Sequence, residues 1–304
     1  MKVFYTDHFV LPLPPGHRFP VQKYALLRQR VVEAALVSPQ KMRVPDAATD
    51  AQILRAHTPE YLRRVQRGEL TEKEIRRMGF PWSPELVERS RRSCGGTIEA
   101  CRAALEDGLA VNLAGGTHHA FPDHGEGYCV FNDSAIAVRA VQAEGLAKRV
   151  VILDCDVHQG NGTAAIFARD PTVFTFSIHG AKNFPFRKQA SDLDVELDDG
   201  AGDAAYLEAL ERGVSRALAL ANADFAVYLA GADPFAGDTF GRLALSKEGL
   251  AERDRLVLRY CQAAGVPVAV TMAGGYARQV QDIVDVHFRT VQIAAEMWQG
   301  PGGS

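Results

Sequence analysis

The chain has 304 residues, 47% of them hydrophobic and 23% charged, which is the composition of a folded globular protein. A net charge of −3 gives no support to a nucleic-acid partner, and no apolar run is long enough to cross a membrane. The first ten residues lack the apolar core of a signal peptide, and the five cysteines form no CxxC pair, so we expect reduced thiols and a cytoplasmic location.

Six short apolar runs, taken in chain order, predict β-strands: MKVFY, AVNLAGG, VVILDCD, TVFTFSI, DFAVYLAGA and VPVAVTMAGG. Stretches typical of helices lie between most of them, such as SPELVERSRRSCGGTIEACRAALEDG and DAAYLEALERGVSRALALANA. Continuous apolar strands that alternate with helices indicate a parallel sheet covered on both faces. We therefore predict one α/β domain over residues 1–304, with three α/β/α layers, a mostly parallel sheet and a flexible tail, QGPGGS.

Several of these runs end in a polar or glycine-rich cluster: GGTHHAF, DCDVHQGNG, SIHG, AGADPFAGD and AGGYA. In open parallel sheets, ligands bind outside the carboxyl ends of the strands. If the strands are parallel, all five clusters lie along one edge of the sheet, and we expect the functional site there.

Asp154, Asp156 and His158 alternate along an extended segment, so their side chains should point to the same side. Carboxylates that converge are unfavourable unless a cation or hydrogen-bond donors lie between them. Carboxylate and imidazole groups together suit a divalent first-row metal. For this pattern alone, an equally good interpretation is that the residues cap a helix starting near Gly162 and that His158 is only hydrogen-bonded.

Three further clusters favour the metal interpretation. His118 and His119 are adjacent after a double glycine, Asp233 follows another apolar run, and Tyr276 follows a second glycine pair. Asp233 alone and Tyr276 alone are more often structural, as a lone histidine would be, but two adjacent histidines after a double glycine are less easily explained in that way. Together with the aspartates and His158 they supply three metal ligands, a histidine pair and a phenol donor, which are the parts of a water-activating metal site.

With these motifs in place, the sequence resembles histone deacetylase-type lysine deacylases, which have the arginase/deacetylase fold. The matching motifs occur in family order from Gly115 to Tyr276: GGTHHA, GYCVFND, DCDVHQGNG, FSIHG, AGADPFAGD and AGGYA. Four other stretches resemble the class IV branch: HRFP, HTPEYL, SCGGTIEA and DTFGRLALSKEGLAERDRLV. The resemblance implies a zinc site, with iron(II) as the alternative metal, whose protein ligands are Asp156, His158 and Asp233.

The same resemblance implies the catalytic roles. His118 and His119 match the tandem histidines, of which the second is the general base and acid. Asp154 would orient His118. Asn161 stands at the partner position of His119, where some family members have aspartate, so we expect His119 to be less basic than with an anionic partner. Tyr276 would donate its hydroxyl to the oxyanion of the tetrahedral stage.

Monovalent-cation sites and a substrate tunnel also follow from the resemblance. A potassium site would be formed by Asp154, Asp156, His158, Ser177 and Ile178. A second cation site would use the carbonyl groups of Phe167, Asp170 and Val173. The tunnel for the acyl-lysine chain would be lined by Gly127, Tyr128 and Phe240. For Tyr128, the residues alone favour a core aromatic.

Three other functions compete with lysine deacylation. A two-manganese ureohydrolase needs an aspartate at the position of Gly160 and a second one near Asp233, and the sequence has neither. An acetylpolyamine amidohydrolase would carry an acidic group where Phe240 stands, so a peptide or protein substrate is favoured. A non-catalytic acyl-lysine binding module would have lost a ligand, base or tyrosine, and none is lost. The sequence leaves the acyl length, from acetyl to fatty acyl, and the oligomeric state open.

Overall fold

The sheet is built from short apolar strands, as the composition of the runs predicts. A computed structural model describes residues 1–297, so the predicted flexible tail, residues 299–304, lies outside the described part of the chain. The strands are β1 Lys2–Phe4, β2 Met42–Arg43, β3 Leu109–Asn112, β4 Val150–Asp154, β5 Val173–Gly180, β6 Leu193–Leu197, β7 Phe225–Leu229 and β8 Val268–Thr271.

All eight strands form one sheet in the order β2-β1-β3-β8-β7-β4-β5-β6, and every neighbouring pair is parallel. The predicted mostly parallel α/β fold is therefore confirmed. Six of the strands coincide with the six predicted runs. The sequence analysis missed β2, which has two residues, and β6, whose sequence LDVEL alternates apolar and acidic side chains at the sheet edge and is only partly buried. Neither strand reaches the apolar content that marks a buried strand.

Helices cover both faces of the sheet. They are α1 Lys23–Glu33, α2 Asp50–Ile53, α3 Pro59–Arg67, α4 Glu72–Met78, α5 Pro84–Asp107, α6 Asp133–Ala143, α7 Asn161–Phe167, α8 Asp203–Ala221, α9 Lys247–Ala263 and α10 Val280–Met297, with a 3₁₀ turn at Pro39–Lys41. Ser83 caps α5, and Ser246 caps α9, each by accepting a backbone hydrogen bond with its side chain.

Alternate residues of the strands between the edge strands β2 and β6 supply two hydrophobic cores, one on each face of the sheet. On β4, Val151 and Leu153 belong to the core that also contains side chains of α1, α8, α9 and α10. Val150 and Ile152 belong to the core that contains side chains of α5 and α6. The period-two alternation of an extended chain therefore gives the central strands a buried face on both sides.

The five cysteines are free and buried: Cys94, Cys101, Cys129, Cys155 and Cys261. Within residues 1–297, no helix combines the length and apolarity needed to span a bilayer.

Candidate metal and catalytic site

The three predicted metal ligands converge because their strands are neighbours. Asp156 and His158 follow β4, Asp233 follows β7, and β4 pairs directly with β7. Nδ1 of His158 lies 2.9 Å from Oδ1 of Asp156 and 3.2 Å from Oδ2 of Asp233. One ligand atom from each of the three buried residues lies within 4.8 Å of the other two. This spacing allows one cation to contact all three.

The remaining oxygens of the two carboxylates are held by backbone donors. Oδ2 of Asp156 accepts from the N–H of Gly274 at 2.7 Å, and Oδ1 of Asp233 accepts from the N–H of Val157 at 2.9 Å. Among the described residues, Oδ2 of Asp233 is one of the few buried side-chain oxygens that accept no hydrogen bond. An unsatisfied buried carboxylate oxygen aimed at an imidazole nitrogen fits a metal ligand, since such an atom is costly without a partner.

The protonation of these groups gives a second test of the metal fit. Burial raises the pKa of Asp233 to about 7, and the charge of Asp156 adds to this effect. Burial would lower the pKa of His158, but the adjacent carboxylates of Asp156 and Asp233 outweigh it and raise the pKa to about 10. Two carboxylates thus hold a proton on the imidazole between them. A divalent cation would replace that proton and satisfy the same charges.

The histidine pair lies beside this cluster, with the partners that the resemblance implied. Nδ1 of His118 donates to Oδ2 of Asp154 at 2.6 Å, and Nδ1 of His119 lies 2.7 Å from Oδ1 of Asn161. Burial opposes the charge on His118, but Asp154 and Asp156 raise its pKa to about 9. Burial and the neighbouring histidines hold the pKa of His119 well below its usual range. The pair therefore combines a cationic first ring with a neutral second ring.

The loop that carries the histidine pair is fixed by side chains of the following helix and of a distant segment. Oδ1 of Asp133, the first residue of α6, accepts from the N–H of Thr117 at 2.7 Å. His57 donates from Nδ1 to the carbonyl of Phe121 and accepts from the N–H of Asn132, both at 2.9 Å. These bonds hold both ends of the loop, and the sequence analysis singled out neither Asp133 nor His57.

Tyr276 lies opposite the histidines, after β8. Its backbone N–H donates to Oδ2 of Asp238 at 2.6 Å, and its ring centroid lies 6.5 Å from that of His158 and 4.9 Å from that of Phe240. Burial, followed by the charges of the nearby carboxylates, raises the pKa of Tyr276 well above its usual range. The phenol therefore keeps its proton and can donate it in a hydrogen bond.

A cavity of about 540 Å³ opens above His119, His158 and Tyr276. All three residues predicted for the tunnel line it: Gly127, Tyr128 and Phe240. Tyr128 is half-buried and forms part of the wall, so it is not only a core aromatic. Phe184 also lines the cavity, with its ring edge-on to His119 at a centroid distance of 4.9 Å. The motif that could have indicated it is the aromatic–proline run NFPF after β5.

Glu126 is a further polar residue at this cavity that the sequence analysis did not identify. It is half-buried, lines the cavity, and accepts from Nδ2 of Asn161 through its Oε2 at 2.9 Å. No periodicity links positions 126 and 161, because Glu126 lies on a turn and Asn161 begins α7. Only the tertiary structure brings them together.

The residues predicted for the first potassium site also lie together. Asp154 on β4 is in register with Ser177 on β5, and the N–H of Asp156 donates to Oδ1 of Asp154 at 3.1 Å. At the predicted second cation site, the carbonyl of Phe167 accepts from the N–H of Asp170 at 2.9 Å, and the carbonyl of Asp170 accepts from the N–H of Val173 at 3.2 Å. Each carbonyl retains one lone pair. Both cation sites stay predictions.

Comparison with known proteins supports the same picture. The histone deacetylase domain family matches residues 17–291. An uncharacterized protein of Picosynechococcus sp. is 47% identical over 97% of this chain and 99% of its own length. A histone deacetylase-like amidohydrolase of Pseudomonas aeruginosa is 30% identical over 88% of this chain and 74% of its own. The crystal structure of a histone deacetylase homologue from Aquifex aeolicus superposes with a TM-score of 0.83 at 22% identity, over 96% of this chain and 83% of that one.

Proposed function

The chain belongs to the histone deacetylase family of amidohydrolases, and we propose that it removes acyl groups from lysine side chains of proteins or peptides. One observation carries the proposal. Three metal-ligand atoms lie within 4.8 Å of one another, and their residues line a small pocket that His119 and Tyr276 also line. Ligands, base and oxyanion donor thus face the same space, as amide hydrolysis requires.

We propose that the metal is zinc, with iron(II) as the alternative, and that Asp156, His158 and Asp233 hold it. A zinc ion bound there would supply Lewis acidity, which would lower the pKa of water to about 7 and polarise the substrate carbonyl. Three protein ligands leave a coordination position open. Potassium binding near Asp154 and Ser177, and the class IV assignment, belong to the same proposal.

His119 moves the proton in this mechanism. Nδ1 of His119 is engaged with Asn161, so Nε2 is the ring nitrogen left to take a proton from the attacking water. The low pKa of His119 keeps that nitrogen unprotonated at neutral pH. After attack, the protonated ring can deliver the proton to the lysine nitrogen as it leaves. His118 is hydrogen-bonded to Asp154 at 2.6 Å, which orients its ring and favours its protonated form beside the site.

Tyr276 stabilises the charge that develops on the carbonyl oxygen. Its hydroxyl is protonated and its ring is held between Phe240 and Tyr128, at centroid distances of 4.9 Å and 5.7 Å. A donor placed by packing needs no reorganisation as the negative charge appears. The aromatic walls around it suit the apolar stem of an acyl-lysine side chain.

The charge at the mouth favours a lysine in a peptide over a free acetylpolyamine. Three exposed cations line the mouth: Arg77, Lys182 and Arg242. Lys182 and Arg242 share one carboxylate, Asp199, at 3.9 Å and 3.0 Å. Glu126 is the one acidic residue among those that line this cavity in the described part of the chain, and Asn161 occupies its Oε2. A polycationic amine would therefore meet like charge at the entrance.

The test compares kcat/KM for an acetyl-lysine peptide, the same peptide with longer acyl groups, and N8-acetylspermidine. We expect turnover of at least one acyl-lysine peptide, with a higher kcat/KM than for the polyamine. A clearly higher kcat/KM for N8-acetylspermidine would contradict the proposal and indicate an acetylpolyamine amidohydrolase. If the metal-loaded protein binds acyl-lysine peptides but does not turn them over, the chain is a non-catalytic binding module and the proposed activity is wrong.

A further inference from the structure

A chain of hydrogen bonds runs from His119 away from the cavity floor to a carboxylate. Nδ1 of His119 lies 2.7 Å from Oδ1 of Asn161, and Nδ2 of Asn161 donates to Oε2 of Glu126 at 2.9 Å. His119 and Asn161 are both less than 5% exposed, so water does not compete with these bonds. The mechanism above uses Asn161 only as a partner and does not use Glu126 at all.

The turn that carries Glu126 is held rigidly. Glu126 and Cys129 exchange backbone hydrogen bonds of 3.1 Å and 2.9 Å across the two-residue turn Gly127–Tyr128, in which both residues have positive φ, +54° and +63°. The N–H groups of Gly127 and Tyr128 donate to the carbonyls of Arg77 and Met78 at the end of α4. A Cβ at Gly127 would lie 2.6 Å from Cδ2 of His119, so the turn packs directly on that ring. Glu126 is therefore placed by backbone geometry and not by a flexible loop.

A carboxylate at this place decides which way the amide of Asn161 points. An ionised carboxylate only accepts hydrogen bonds, whereas an amide presents a donor and an acceptor in similar positions. Nδ2 must therefore face Glu126, and Oδ1 must face His119. Because Oδ1 only accepts, the neutral His119 ring must carry its proton on Nδ1 and leave Nε2 free. Without Glu126, the amide could rotate and favour the opposite tautomer, whose Nε2 is already protonated.

We propose that Glu126 is a positioning residue that sets the tautomer of His119 through the amide of Asn161. The proposal rests on the proposed function, because a free Nε2 matters only if His119 is the base. Glu126 acts through Asn161 and makes no contact with the substrate in this role. We therefore expect substitution of Glu126 to change kcat more than KM.

The experiment combines Glu126→Gln and Asn161→Asp, singly and together, in the zinc-loaded chain of 304 residues. Glutamine keeps the shape but no longer dictates the amide orientation, so we expect kcat to fall about 10-fold or more, with KM changed less than about twofold. In the double variant, the carboxylate introduced at position 161 can only accept from His119, and the amide introduced at position 126 can donate to that carboxylate. The kcat of the double variant should therefore exceed that of Asn161→Asp alone, in which two carboxylates face each other.

Glu126→Gln should therefore lower kcat in the wild type and raise it in the Asn161→Asp background. A general structural role of Glu126 would not produce these opposite effects. If Glu126→Gln lowers kcat equally in both backgrounds, or raises KM at constant kcat, the proposal is wrong. Glu72→Gln on α4 is the matched control, since the Glu72 side chain is 89% exposed and its ion pair contributes little. We expect Glu72→Gln to leave both constants unchanged.

A second readout does not depend on activity. In ¹⁵N-histidine NMR spectra, with His119 assigned from a His119→Gln spectrum, the wild type should show His119 protonated on Nδ1 only. Glu126→Gln should introduce a population protonated on Nε2, and the double variant should remove it. A wild type that turns over no acyl substrate would contradict the proposed function, but these spectra would still decide the role of Glu126. An unchanged tautomer in Glu126→Gln would overturn it.

Discussion

Gly160 leaves no room for a side chain beside Asp154. A Cβ atom on residue 160 would overlap Oδ2 of Asp154, the oxygen that accepts from Nδ1 of His118 at 2.6 Å. The ligand that a two-manganese ureohydrolase would need at position 160 is therefore absent, and the hydrogen bond that orients His118 occupies its space. Position 160 thus carries no side-chain ligand for a second metal, and its lack of a side chain leaves room for Asp154 to hold His118.

Gly160→Ala should separate Asp154 from His118. The added methyl group has to displace a buried carboxylate that is hydrogen-bonded on both oxygens. We expect kcat to fall about tenfold or more, since charge and orientation of the first histidine are disturbed, and the Tm to fall by several degrees. Gly202→Ala is a matched control, because a Cβ at Gly202 would come no closer than 3.7 Å to the carbonyl oxygen of Ala244 and its φ is −97°. Full activity of Gly160→Ala would contradict the tight fit.

The metal stoichiometry gives the second prediction. We expect about one divalent ion per chain, and Asp156→Ala should lose both the ion and the activity, because two ligands cannot hold zinc tightly. Elemental analysis of the purified protein measures the content. Asp46→Ala, which removes a fully exposed carboxylate, should keep the metal and the activity. Two tightly bound transition metals per site would instead favour the ureohydrolase function.

His57, which holds the loop of the histidine pair, should make the stability of the folded state decrease at acid pH. Burial lowers the pKa of His57 from 6.5 to about 4, so the folded state keeps it neutral where the unfolded state takes up a proton. Its stabilising contribution is complete above pH 6.5 and is lost as the pH falls from 6.5 to about 4. A difference of about 2.5 in pKa corresponds to roughly 3 kcal/mol.

The measurement is the free energy of unfolding against pH for the metal-free protein and for His57→Gln. The difference between the two curves cancels the titration of the other groups, including Asp233. We expect this difference to shrink between pH 6.5 and 4, and to be constant above pH 7. A difference that does not change with pH would show that His57 is not kept neutral by folding.

The cations at the mouth of the cavity should determine the preference of the enzyme for an acetyl-lysine peptide over an acetylpolyamine. In Arg242→Glu and Arg77→Glu, the ratio of kcat/KM for an acetyl-lysine peptide to that for N8-acetylspermidine should fall by about 3- to 10-fold at low salt. The change should shrink at 0.5 M salt, because exposed charges are screened. Arg216→Glu on α8 is a charge-matched control away from the cavity. Equal effects of all three variants would assign the change to net charge.

The parts of the site that follow apolar strands could be predicted from the sequence, because parallel strands bring their carboxyl ends to one edge. Asp156, His158 and Asp233 were expected at this edge on that ground, their assignment as the ligand set came from the family resemblance, and they lie within reach of one cation. Glu126 could not be predicted in the same way, since it lies on a turn and meets Asn161 from outside the sheet. The edge strand β6 was missed for a related reason. It is only partly buried and carries acidic residues, so it lacks the continuous apolar sequence that marks a core strand.

Tyr276→Phe separates a catalyst from a binding module. The substitution removes one hydroxyl, while the ring contacts with Phe240 and Tyr128 and the backbone bond to Asp238 remain. Metal content and Tm should therefore stay close to the wild type. If Tyr276 donates to the oxyanion as proposed, its hydrogen bond strengthens as charge develops on the carbonyl oxygen, so kcat should fall by about 10²- to 10³-fold, roughly 2.7–4 kcal/mol, with KM much less affected.

Single-turnover kinetics and peptide binding by the zinc-loaded protein measure the two effects separately. Tyr260→Phe on α9 is the matched control, since it removes a hydroxyl that donates to Glu211 on the surface. If Tyr276→Phe retains its metal and its full kcat, the hydroxyl does not stabilise the transition state, and another donor must face the carbonyl oxygen. If instead KM rises while kcat is unchanged, Tyr276 binds the ground state and transition state equally well, and its contribution is affinity and not catalysis.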